Sequence, residues 1–236
     1  MPTRHSIEVH VPIPRGIPPA RVVATLQTFE PLLDNHGYVI AYRPKPLSLE
    51  DAAVIKGDAF FRHDWHDLVS HGTMADSRWW LCDVWEDVYW VPFLLPYFSR
   101  LKRYLAVGYK TDAGIRFRQR VSGGVVTRGS FTVISRETGL PYGSQPAPEA
   151  SGDIWDGETE KGSVTSASKD GSNDEADAEM EPLWDLVCAC EIEMPLILIL
   201  SQILRREANR ALCEHLCKAI LRETIIAYNL NPTSAV

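Results

Sequence analysis

The stretch from Arg100 to Arg136, RLKRYLAVGYKTDAGIRFRQRVSGGVVTRGSFTVISR, decides the fold. In its middle, Ile115, Phe117, Gln119 and Val121 alternate with Arg116, Arg118 and Arg120, the period-two pattern of a strand with unlike faces. Lys110-Thr111-Asp112-Ala113-Gly114 and Ser122-Gly123-Gly124 supply turn residues on either side. Segments 100–110, 114–121 and 124–136 therefore read as consecutive strands joined by tight connections. Working outward, 79–91 and 64–71 are strand-like too, so the centre of the chain is an antiparallel meander.

Further toward the N-terminus, Ile7, Val9, Val11 and Ile13 alternate with Ser6, Glu8 and His10, another half-buried strand. Pro18-Pro19 suits a helix start, where a fixed φ helps and the missing N–H costs nothing. Val22, Val23, Leu26, Phe29, Leu32 and Leu33 follow at helical spacing, and Pro31 is expected to split them into two short helices. Asn35-His36-Gly37 provides the stop. Tyr38 to Tyr42 reads as a strand, and 47–62 as a loop with at most a turn of helix. At the other end, Leu183 to Tyr228 carries the longest helical signal, with Pro195 kinking or restarting it. Leu200, Leu204, Ala208, Ala211, His215 and Ala219 form its apolar stripe.

The chain has 236 residues, 45% of them hydrophobic, enough for a sizeable core. Its net charge of −7 is uneven. Residues 144–182 hold eleven acids against two lysines, which leaves the remainder slightly basic. This segment, rich in Gly, Ser, Pro and acid, cannot offset the entropy of ordering and reads as a disordered insertion. The expected organisation is one domain. Residues 1–143 supply the first strand, the two helices and the sheet, 144–182 the insertion, and 183–230 a C-terminal helix of the same domain. The five cysteines are odd in number, no secretory leader is evident, and the apolar run after Pro195 is too short to span a bilayer. An intracellular, cytoplasmic protein is the expectation.

This order, strand, two helices, antiparallel strands, long terminal helix, resembles the helix-grip fold of the START and polyketide-cyclase-like superfamily. "VWEDVYWVPFLLPYFSRLKRYLAVGYKTDAGIRFRQRVSGGVVTRGSFTV" (Val84–Val133), with "PPARVVATLQTFEPLLDNHG" upstream, resembles a fungal family within it, domain of unknown function 7053. The resemblance implies an α+β fold in which about seven curved strands wrap the terminal helix. It also implies a cavity between them for a sterol, lipid or polyketide-like molecule. Trp85, Tyr89, Trp90, Tyr109, Phe117 and Phe131 on the sheet, with Leu204, Ala208, Leu212 and His215 on the helix, are the expected lining. The uncharged connection VPFLLPYF, through Phe93, Leu94, Leu95, Tyr97 and Phe98, is expected to close that cavity or to touch a membrane.

Other candidate chemistry is weaker. In RHDWHD, His63 and His66 are three apart, a spacing that shares no strand face, though His71 lies nearby. Cys188/Cys190 and Cys213/Cys217, both taken as helical, would aim their sulfurs poorly at one ion, so no metal or cofactor is expected. Arg116, Arg118 and Arg120, with Lys102 and Lys110, mark either a solvated face or a contact for an anionic membrane. A third reading has the acidic insertion covering them. Asp83, Glu86 and Asp87 neighbour tryptophans, but alternation separates Glu86 from Asp87. No nucleophile elbow, phosphate loop or dinucleotide glycine cluster occurs, and nucleic-acid binding is not expected. Three function classes follow: a carrier of a hydrophobic small molecule, a cyclase- or dehydratase-type enzyme using His215 with Glu86 or Tyr89, and an interaction module with a filled core.

Overall fold

The computed structural model describes residues 2–62, 64, 78–89, 99–120, 124–144, 183–195 and 199–230. The N-terminal alternation becomes β1 (Pro2–Pro12), with Ile7, Val9 and Val11 buried. Pro18-Pro19 opens α1 (Pro19–Leu26), which buries Val22, Val23 and Leu26. The short α2 (Glu30–Asp34) follows, and Pro31 sits in its first turn. The two helices part at Phe29, whose φ of 62° lies in the left-handed region. That conformation costs a bulky residue about 1–3 kcal/mol, a cost the surroundings must offset. Here Phe29 is buried and stacks on Trp80, ring centroids 4.9 Å apart. Beneath it, a Cβ on Gly108 would fall 2.3 Å from the Phe29 ring, so glycine keeps the seat open.

Next come β2 (Val39–Pro44) and α3 (Leu49–Gly57), then a 3₁₀ turn at Ala59–Phe61. The region expected as loop therefore holds a helix. Its start is a capping box: the Ser48 hydroxyl accepts from the Asp51 N–H at 3.1 Å, and the Asp51 carboxylate from the Ser48 N–H at 3.2 Å. The meander is present as β3 (Trp79–Tyr89), β4 (Ser99–Thr111), β5 (Gly114–Arg120) and β6 (Val126–Ser135). The strand expected at 64–71 and the apolar connection 91–98 lie outside the described residues, Asp64 excepted, as does the insertion from 145 to 182.

The largest departure is at Leu183. The chain forms β7 (Trp184–Pro195) before the terminal helix, which runs as α4 (Ile199–Leu230). Leu186, Cys188, Cys190, Ile192 and Met194 alternate with Asp185, Val187, Ala189, Glu191 and Glu193, and this period of two prevails over the helical propensity of Leu, Ala, Glu and Met. The sheet order is β1-β7-β6-β5-β4-β3-β2, every neighbour antiparallel. The protein is thus an α+β molecule with a seven-stranded antiparallel sheet and a C-terminal helix, the helix-grip arrangement. Among the described residues, no helix is long and apolar enough to cross a membrane.

One sheet face receives α1, α2 and α4, with α4 lying on β1 and β7 and α1 on β5 and β6. The buried stripe of α4 is Cys213, Leu216, Cys217, Ala219, Ile220, Leu221 and Thr224, while Ala208, Ala211 and His215 are exposed. The larger side chains set the helix rotation, since they remove more apolar area from water than alanines do. The opposite face buries Trp79, Leu81, Val107 and Tyr109 against Ile55 and Phe61.

Beside that second core, strand arginines are held by the protein's own carboxylates. Arg118, only 8% exposed, and Arg128 both donate to Asp58, and Arg128 also donates to Glu193 at 2.8 Å. Arg116 pairs with Asp64, donates to the Phe60 carbonyl and lies over the Phe60 ring. The arginine row expected as a solvated or anion-binding face is therefore internally neutralised at two of its three positions. Burial pushes the Asp58 carboxyl up, but hydrogen bonds from Arg128 and the Phe60 N–H, with the charges of Arg128 and Arg118, outweigh it and hold the carboxyl below its usual value. Its stabilising effect is therefore complete above about pH 4, the ordinary carboxyl range, and is lost as pH falls through the lower folded value. Asp58→Ala, which leaves the buried Arg118 guanidinium without its carboxylate and Arg128 with Glu193 alone, is expected to lose about 3–5 kcal/mol at neutral pH. Urea unfolding at neutral pH and in strong acid checks this: the gap to wild type should shrink in acid.

Candidate functional site

On the helix-covered face, β3 presents Trp80, Cys82, Val84 and Glu86 inward. Strand alternation then sends Trp79, Leu81, Asp83 and Trp85 to the opposite face. Glu86 is 6% exposed and no lysine or arginine pairs with it among the described contacts. Its carboxylate accepts a hydrogen bond from the Tyr104 hydroxyl at 3.2 Å, and that hydroxyl also approaches the Gln119 side-chain oxygen at 3.4 Å. His36, carried inward where the chain leaves α2 for β2, places Nδ1 3.6 Å from Glu86 Oε1. That separation is too long for a hydrogen bond, and the buried Nδ1 has no other partner. Asn35 fixes this corner by donating to the Pro31 carbonyl at 2.8 Å and to Glu223 of α4 at 2.7 Å.

The electrostatics follow from burial. Desolvation raises the Glu86 carboxyl, only partly countered by the bond from Tyr104. Desolvation also lowers His36, against a smaller opposing pull from Cys213, and desolvation with the charge of Glu86 raises Tyr104. In all three groups burial favours the neutral form over the charged one. His5 adds to the same side: it shares a face with buried Ile7, and its buried Nε2 also lacks a partner.

Adjoining His36 is a thiol cluster. Cys188 and Cys190, two apart on β7, share the inward face. Cys213 and Cys217, four apart on α4, share its buried stripe. The Cys188 and Cys190 sulfurs lie 3.7 Å apart and those of Cys190 and Cys213 4.0 Å apart. The Sγ atoms of Cys188, Cys190 and Cys213 all lie within 4.8 Å of one another. Cys217, fully buried, interacts with Cys188. Gly129 opposite makes room, since a Cβ there would fall 2.8 Å from the Cys190 sulfur. Hydrogen bonds from Cys188 and Cys190 lower Cys213, whereas the shared thiols and burial raise Cys188. The expectation that these sulfurs diverge is corrected: it rested on a helix at 188–190, and a strand points alternate residues the same way.

The expected lining residues divide. Phe117 and Phe131 face the helices, stacked at 5.8 Å, with Phe131 a core residue at 1% exposure. Leu212 is half-buried and packs on the same core, but Ala208 and His215 are exposed on α4. Trp85 and Tyr109 lie on the other face: the Arg103 guanidinium sits 5.6 Å over Trp85, and Tyr109 packs on Trp79 at 4.8 Å. Those two are corrected by the register that turns Val84, Glu86 and Gly108 inward. The side chains of Tyr89 and Leu204 lie outside the described residues, as do Trp90, Phe93, Leu94, Leu95, Tyr97, Phe98, His63, His66 and His71. Glu86 therefore meets His36, not His215. His36, Tyr104 and Gln119 went unnoticed because no local motif marks them; their only signal was a polar residue at an inward position of an apolar strand or at a helix stop.

The class these features define is an α+β helix-grip protein whose covered sheet face carries neutral polar groups and clustered thiols. No family model matches the chain, and no curated protein matches it. Among solved structures it is similar to the crystal structure of TTHA0849 from Thermus thermophilus, at 12% identity and a TM-score of 0.46, covering 95% of this chain and 99% of that one.

A lowered histidine pKa has a fixed sign in stability. The unfolded chain takes up a proton below the ordinary value of 6.5 while folded His36 resists it, so its contribution is present above that pH and is lost as pH falls. His36→Gln is expected to flatten the decline in melting temperature on the acid side of 6.5 relative to wild type, measured by differential scanning calorimetry across that range.

Proposed function

We propose that the protein binds a hydrophobic small molecule between the helix-covered sheet face and α4, reading one polar end of that molecule with His36, Glu86 and Tyr104. The observation that carries this reading is the pair of buried imidazole nitrogens without hydrogen-bond partners among the described residues, His36 Nδ1 and His5 Nε2, on a mostly apolar face. Buried polar atoms in folded proteins are nearly always hydrogen-bonded, and an unpaired one asks for a functional account. Ligand sites are mostly apolar with a few placed polar groups, which is the composition found here. Burial shifts Glu86 toward its acid form and His36 toward its neutral form, so a hydroxyl or carbonyl group suits them better than a charged one. The resemblance to the START-like superfamily and to the fungal domain 7053 family points the same way, toward sterols, lipids and polyketide-like molecules.

A second reading rests on one distance. An acid and a base 3.6 Å apart in a low-dielectric setting form the kind of pair that moves a proton in dehydration or cyclisation. One experiment separates the two. The protein is incubated with a lipid and sterol extract, desalted, and examined by native mass spectrometry for the bound mass and by chromatography for the released molecule. Carriage predicts an unchanged molecule at one per chain, with weaker retention by Tyr104→Phe and by His36→Phe. A released molecule altered by wild type and unaltered by Glu86→Gln selects the enzyme. A wild-type chain that retains nothing from the extract ends both.

A further inference from the structure

We propose that Cys188, Cys190 and Cys213, with Cys217 beside them, form a binding site for a thiophilic d¹⁰ metal ion, Zn²⁺ or Cu⁺. This inference does not depend on the small-molecule reading. It starts from geometry. With metal–sulfur bonds of about 2.3 Å, sulfur–sulfur edges are about 3.8 Å in a tetrahedral site and about 4.0 Å in a trigonal one. The two measured edges are 3.7 and 4.0 Å, and the third is below 4.8 Å. An ion can therefore sit among the three sulfurs with only small side-chain adjustments. The backbone already holds them: two come from adjacent inward positions of a strand paired along both sides, and the third from the helix packed on it.

Chemistry narrows the ion. The donor set is sulfur alone, which selects soft ions over Mg²⁺ or Ca²⁺. The surroundings are apolar, including Ile7, Val9 and Ile220. Binding requires thiolates, so each coordinated sulfur releases a proton. Three thiolates leave the Zn²⁺ site with one negative charge and an open position, and Cys217, one helical turn from Cys213, interacts with Cys188 while lying outside the three-sulfur group. Cu⁺ is satisfied by the three alone. A cysteine is also an ordinary small core residue, and Cys82 provides the comparison: it is equally buried, lies in a separate cluster with Val84 and Tyr104, and has no thiol neighbour there.

The test uses the full, tag-free chain, reduced and anaerobic. It is titrated separately with Zn²⁺ and with Cu⁺ against chromophoric competitors, and with Co²⁺ as a spectroscopic reporter. The expected result is one ion per chain retained through desalting, proton release on binding, and a sulfur-to-cobalt charge-transfer band with the intensity of three or four thiolates. Cys213→Ser and Cys190→Ser should weaken binding by at least roughly 10–100-fold, the penalty that loss of even an outer-shell partner carries. Cys82→Ser should bind as wild type does. If a variant at the cluster fails to fold, the cobalt spectrum and proton release of wild type decide. Retention of neither metal, a cobalt spectrum without the thiolate band, or equal loss in Cys82→Ser overturns the site.

Discussion

The return of the chain at β7 is the constraint on which the rest of the structure depends. β1 is hydrogen-bonded to no other strand in the sheet, so without β7 the N-terminal strand has no partner and α4 has no floor. β7 is paired along its length to β1 on one side and β6 on the other. It returns after a long, acid-rich excursion, and the two ends of that excursion are tied together. The Arg136 N–H donates to the Leu183 carbonyl at 2.9 Å, and Tyr142 folds back to donate to Val133 at 2.8 Å. Loop-closure entropy rises only slowly with length, by about 0.6 kcal/mol per doubling. Once the stem is closed, a long insertion there costs little more than a short one.

The two faces of the sheet answer the problem of buried charge in opposite ways. On the α3 side, Asp58 stays ionised because Arg118 and Arg128 reach it together and Glu193 takes up the remaining donor of Arg128. On the α4 side, the described contacts of Glu86 are with the Tyr104 phenol and the His36 imidazole, and desolvation raises its carboxyl. The first arrangement holds α3 and the 3₁₀ turn to the strands. The second leaves the buried His36 Nδ1 without a hydrogen bond among the described residues. Charge-paired and unpaired polar chemistry are thus divided between the faces of one sheet.

Much of the fold was legible because local signals agreed with one another. β1, α1 and the meander each had a clean period, a turn residue at each end, and proline where a helix starts. The misreading at 183–195 came from a conflict of signals. Leu, Ala, Glu and Met favour a helix and sit directly before a true helix, so propensity suggested continuity. Yet Asp185, Glu191 and Glu193 alternate with Leu186, Cys190, Ile192 and Met194, a pattern no helix would bury well. The stripe on α4 was misphased in part from the same cause: a helix phased from Pro195 included exposed Ala208, Ala211 and His215 beside buried Ala219, and passed over Leu216 and Ile220. At Arg118, the partner that buries it, Asp58, is sixty residues away and belongs to a segment expected as loop.

The site was less legible than the fold for a reason of register. A one-residue error in which face a strand turns inward exchanges its whole set of candidates. Aromatic size alone suggested Trp85 and Tyr109 as pocket walls, but size does not choose a face. The choice is made by Gly108, which must lie under Phe29 and so turns Tyr109 outward, and by the pairing of β3 with β4 that then turns Trp85 outward as well. That same registration carries Glu86 in toward His36. The buried polar groups are therefore a consequence of where Phe29 stacks, and a helix-breaking residue in left-handed backbone fixes which side chains of β3 and β4 turn toward the helices.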